Sequence, residues 1–114
     1  MSLDIWLTAT IKTELVSKNV THNLIGMWRE AGIYSVLYES EGKTANEVLP
    51  KLKQGLIKLK ENPVYFNKFN SPNGWGTYDG AVKWLEKLIK EFEEHPRGVI
   101  GIQLNSLLRD GREW

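Results

Sequence analysis

Residues 4–10 read Asp-Ile-Trp-Leu-Thr-Ala-Thr, and how they are read decides the fold. Ile5, Leu7 and Ala9 fall on one side of an extended chain and Trp6, Thr8 and Thr10 on the other, which is the period-two pattern of a half-buried strand. A second β-prone stretch, residues 14–20, follows the short polar connection Ile11-Lys12-Thr13, so the pair is expected to form an antiparallel hairpin. Residues 99–104 alternate again, with Ile100, Ile102 and Leu104 against Gly101 and Gln103, and supply a third strand to pair with it.

Helical spacing fills the interval. Asn19 and Thr21 are good caps, and Leu24, Met27, Trp28 and Ala31 recur at three and four, so a helix should begin near His22 and break at Gly32. Residues 33–38 fit a further helical turn or a short extended piece, six residues being too few for periodicity to decide, and the helical turn is the favoured reading; residues 39–43 form a polar loop. Thr44 followed by Glu47 is a capping-box pattern; beyond it Val48, Leu49, Leu52, Leu56 and Leu59 share an arc, with Lys51 and Lys58 opposite. Pro50 should split off a first turn, because a proline inside a helix removes a backbone donor, and Pro63 should close the element. Thr77 caps the clearest helix, whose Ala81, Val82, Trp84, Leu85, Leu88, Ile89 and Phe92 line one face. Pro96 and Gly98 end it.

These elements give an α+β, two-layer domain: a three-stranded antiparallel sheet, from an N-terminal hairpin plus a C-terminal strand, packed against two to three helices. At 114 residues, 41% hydrophobic and 25% charged, the chain suits one domain over residues 1–104. Residues 105–114 are expected to form a flexible tail.

Composition narrows the function without naming it. Fifteen basic residues against fourteen acidic ones leave a formal charge of +1, which creates no general attraction to nucleic acid or an anionic membrane. No apolar run is long enough for a membrane span, no secretory leader is recognisable, and the lack of cysteine suits a reducing compartment, so a cytoplasmic location is expected. Lys51, Lys53, Lys58, Lys60 and Lys68 with Tyr65, Phe66 and Phe69 are the residue types of a single-strand binder. Their scatter around the predicted helix argues against nucleic acid as the partner. The histidines, His22 and His95, lack a metal-ligand spacing; no metal and no cofactor is expected.

Two stretches concentrate residues that could hold a ligand. Thr21-His22-Asn23 sits at a strand-to-helix junction, where unpaired N–H groups favour an anion and the imidazole titrates near neutrality. Asn73-Gly74-Trp75-Gly76-Thr77-Tyr78 also runs into a helix start, with Trp75 and Tyr78 able to stack on a planar molecule. The candidate ligand-binding residues are therefore His22, Asn23, Asn73, Trp75 and Tyr78. The plainer reading makes Thr21 a cap, His22 an exposed residue and Trp75 a core plug. A general acid or base built from His22 with Glu30 or Asp79 would be the kernel of a small hydrolase or transferase.

The stretches Asn-Val-Thr-His-Asn (19–23), Glu-Ala-Gly-Ile-Tyr (30–34) and Phe-Asn-Ser-Pro-Asn-Gly-Trp-Gly-Thr-Tyr (69–78) resemble a group of short hypothetical proteins of bacteria and their phages. The likeness runs to about Pro96. It implies a phage or prophage lineage and no mechanism. The favoured expectation is a non-enzymatic binding module for a small polar ligand or a protein partner, with self-association through the sheet edge or an aromatic face as one form of it. Five tryptophans in so short a chain point the same way.

Overall fold

A computed structural model describes residues 2–8, 14–70 and 76–105 of the chain. Strand β1 (Ser2–Thr8) is flanked by β2 (Glu14–Thr21) and β3 (Val99–Asn105) in the order β2-β1-β3, so the sheet rests on two antiparallel ladders that share β1. Leu3 pairs with Val20 and Leu104, Ile5 with Lys18 and Ile102, and Leu7 with Val16 and Ile100. Cross-strand partners share a face. Leu3, Ile5, Leu7, Val20 and Ile100 are accordingly buried together, while Ser2, Asp4, Trp6 and Thr8 alternate with them at intermediate exposure.

The helices are α1 (Ile25–Glu30), α2 (Tyr34–Tyr38), α3 (Ala45–Glu61), α4 (Pro63–Asn67) and α5 (Tyr78–Glu94). The expected fold is therefore corrected: five helices, not two to three, accompany the sheet. The extra ones are single turns and a half, too short for periodicity to reveal. Two further expectations also change. Asn19 and Thr21 belong to β2; a 3-10 turn at His22–Leu24 leads into α1, whose N-cap position is Leu24. Pro63 closes α3 and also opens α4, where its missing N–H costs no helical bond.

Pro50 lies inside a continuous α3 and does not split off a first turn. Its absent N–H would have bonded the Asn46 carbonyl, and both residues are exposed, so water can serve that carbonyl. The start of α3 is held firmly: Glu47 accepts hydrogen bonds from the Thr44 backbone N–H at 2.9 Å and from its hydroxyl at 3.1 Å. The N–H groups of Ala45 and Asn46 donate to the carbonyls of Gly98 and Pro96, and Gly42 and Lys43 exchange bonds with Ile100, which lays residues 42–46 along the chain that enters β3.

The long helices α3 and α5 pack against each other. Lys53 reaches Glu93 and Lys60 reaches Glu86, both at 2.6 Å, so seven residues forward on α3 match seven back on α5 and the pair is antiparallel. These exposed pairs add about 0.2–1 kcal/mol each; the buried faces do most of the stabilising. Leu49, Leu52 and Leu59 of α3 join Leu85, Leu88 and Phe92 of α5 in the core. Lys18, on the helix-facing side of the sheet, reaches Glu91 of α5 at 2.8 Å and ties the layers together.

Gly55 lies in the middle of α3, where glycine is the poorest helix former after proline. A Cβ there would enter the van der Waals shell of Ile33 Cγ2, and Ile33 is fully buried. The close approach outweighs the propensity. Gly55→Ala should gain about 1 kcal/mol of helix propensity and lose about 1–3 kcal/mol to overpacking, for a net fall in stability measured by urea unfolding; a rise would mean that Ile33 yields freely.

Candidate functional site

The two motif stretches meet where the described residues allow it to be seen. Gly76 has φ +102°, a conformation that suits glycine, and a Cβ placed on it would lie 3.1 Å from Asn23 Cβ and 3.3 Å from Leu24 Cδ2. The chain entering α5 therefore runs directly over the 3-10 turn that follows β2. Asn73 and Trp75 lie outside the described residues.

At that junction His22 is half-buried and Asn23 exposed. The His22 Nδ1 is 2.9 Å from the Tyr38 hydroxyl, and the two rings lie 5.4 Å apart between centroids. Burial lowers the His22 pKa from its ordinary 6.5, so the neutral ring dominates at neutral pH. Tyr38 is pushed above the usual phenol range by its burial and then by Tyr34, so its hydroxyl keeps its proton and can donate to a bare Nδ1. Tyr34 stacks on Tyr38 at 4.7 Å, and the Arg29 guanidinium sits 4.4 Å from the Tyr34 ring centre. A column of Arg29, Tyr34, Tyr38 and His22 thus backs the junction.

Tyr78 is placed differently from the ligand-stacking role expected of it. Its ring is buried, its hydroxyl donates to the Leu59 carbonyl at 2.8 Å, and its N–H donates to Asn70 Oδ1 at 2.7 Å. It anchors the start of α5 to the end of α3. Thr77 does cap α5, accepting from the Gly80 N–H at 3.2 Å. Glu30, a proposed partner of His22, instead accepts from the Tyr65 hydroxyl at 2.8 Å and joins α1 to α4.

The tryptophans carry less of an interaction surface than their number implied. Trp28 is buried with Trp84 packed on it at 5.8 Å, and Trp6 lies across Gly101 on the sheet. Trp75 and Trp114 lie outside the described residues. Of the residues considered for nucleic acid, Lys53 and Lys60 are paired with glutamates and Phe66 is buried. Among the described residues no three His, Cys, Asp or Glu side chains converge as a metal site would require, and no helix is long and apolar enough to cross a membrane.

Sequence reasoning missed a cavity of about 210 Å³ between α2 and α3, lined by Ser35, Val36, Ser40, Lys43, Val48 and Lys51 together with Glu39. Its residues come from the stretch read as a helical turn (Ser35, Val36), the stretch read as a polar loop (Glu39, Ser40, Lys43) and both faces of α3 (Val48, Lys51). The one available signal was Ser40, a polar residue two positions after the apolar run 36–38.

No protein-family model, curated protein or solved structure matches the chain.

The histidine environment sets a sign. A ring whose pKa is lower folded than unfolded makes its full contribution above the unfolded value of about 6.5 and loses it as the pH falls through that value. The stability advantage of the wild type over His22→Gln, followed as a difference in Tm, should therefore shrink between about pH 7.5 and about pH 5.5; a growing difference would mean that the folded ring prefers its proton. Gly76→Ala should lower stability by about 1–3 kcal/mol, from positive φ and crowding against Asn23 together, as read by thermal unfolding.

Proposed function

We propose that the chain is a non-enzymatic binding module that recognises a small polar or planar ligand, or a protein partner, through the Thr21–Asn23 and 73–78 segments. The observation that supports it is the close packing of Gly76 on Asn23 and Leu24, residues more than fifty positions away in sequence. Beside it His22 carries an imidazole whose Nδ1 is engaged with the Tyr38 hydroxyl. An exposed carboxamide, Asn23, stands beside it. The Arg29, Tyr34 and Tyr38 column holds the imidazole in place, and fixed polar groups bind at less entropic cost than mobile ones. A phage or prophage lineage and a cytoplasmic setting remain part of this reading on the strength of the sequence motifs and composition.

A thermal-shift series against nucleotides, cyclic dinucleotides and amino acids tests the small-ligand form, with mass in solution recorded by light scattering. One ligand class should raise Tm with concentration, and Trp75→Ala should weaken that response more than His22→Ala while both variants stay folded. Turnover of a screened ester or phosphoester that His22→Ala abolishes would favour the small hydrolase or transferase instead. A flat response together with a defined oligomer would move recognition to a second copy of the chain.

A further inference from the structure

We propose that the cavity between α2 and α3 is a binding site for a small oxyanion, a carboxylate or phosphate group carried on a compact molecule, held by Ser40, Lys43 and Lys51. The site is separate from the junction around His22.

Ser40 is the starting observation. It lines the cavity at 1% exposure, and its Oγ has no hydrogen-bond partner among the described residues. A buried hydroxyl left in that state costs about 1–3 kcal/mol, so an unsatisfied one beside a cavity asks for an oxygen to bond. The cavity supplies a setting of matching charge. Lys43 and Lys51 line it, both are exposed, and neither forms an ion pair among the described residues, in contrast to Lys18, Lys53 and Lys60. Glu39 is the one carboxylate in the lining, so the ammonium groups outnumber it. Glu47 also feels Lys43, but its carboxylate is bound to its own cap at Thr44.

Backbone bonds fix the loop that carries Lys43. Residues 42–44 are bonded to the start of β3, and the first N–H groups of α3 are already committed to Gly98 and Pro96, so recognition falls to side chains and not to the helix end. Val36 and Val48, both buried, contribute apolar wall. A cavity of about 210 Å³ is smaller than the roughly 300–1,000 Å³ of drug-sized ligand pockets. It suits a phosphate ion or a short carboxylic acid and is too small to enclose a nucleotide.

The test uses the full chain, isotopically labelled, titrated with sodium phosphate and separately with sodium acetate, each against sodium chloride of equal ionic strength. The expected result is a saturable shift of the Ser40 and Lys43 amide signals with one or both oxyanions and none with chloride. Phosphate alone would assign the phosphate class and acetate alone the carboxylate class. Lys51→Gln should weaken binding about tenfold, the loss of one charge-assisted hydrogen bond. Ser40→Ala should weaken it similarly, yet leave the Tm of the anion-free protein unchanged or higher, because it removes an unsatisfied hydroxyl. No saturable shift, or binding by Lys51→Gln equal to wild type, overturns the proposal. So does a lower anion-free Tm in Ser40→Ala, which would place the hydroxyl in a structural bond.

Discussion

The seam between residues 42–46 and residues 96–100 is the contact on which the rest of the structure depends. Four backbone bonds of 2.8 to 2.9 Å join the two segments, from Gly42 to Ile100, Ile100 to Lys43, Ala45 to Gly98 and Asn46 to Pro96. They cover the outer edge of β3 where it begins, satisfy two donors that every helix start leaves open, and fix the angle at which α3 leaves the sheet. With α3 fixed, α5 finds its antiparallel register, and Lys53 and Lys60 meet Glu93 and Glu86. The same seam positions Lys43 beside the cavity between α2 and α3.

Close approaches at glycine set the finer geometry. Gly55 lets α3 settle on Ile33, Gly101 accepts the Trp6 ring on the opposite face of the sheet, and Gly76 brings the entry to α5 over Asn23 and Leu24. In each case a Cβ would stand where another residue's side chain now packs. Interiors are too tightly packed for such a contact to yield without moving a neighbour. Glycine is a poor helix former, yet Gly55 is the point of contact between α3 and the segment joining α1 to α2.

The polar groups divide into two kinds. Most are spent within the fold: the Tyr78 hydroxyl on the Leu59 carbonyl, Glu30 on Tyr65, and Lys18 on Glu91. These cross-element bonds take residues that looked chemically promising and give them structural work. A smaller set remains, comprising the half-buried His22 ring and the serine-lysine lining of the cavity. Recognition has to be built from the second kind, because a group already satisfied inside the protein must break a bond before it can make one.

The sequence by itself determined the elements whose periodicity is long enough to read. The alternation through β1, the apolar arc of α5 and the capping pair Thr44 and Glu47 are local properties, set by the pleat, the 3.6-residue turn and the reach of one side chain to a nearby backbone group. The short helix α4 escaped it, since five residues carry too little pattern. The candidate residues at 21–23 and 73–78 were legible as polar and aromatic clusters, but their roles were not. Only the tertiary structure decided that Tyr78 turns into the core, that Gly76 lies against Asn23, and that Ser40 lines a cavity with Lys43 and with Lys51 of α3. Each of those outcomes depends on which surfaces pack together once the backbone bonds of the seam have formed, and no local pattern carries that information.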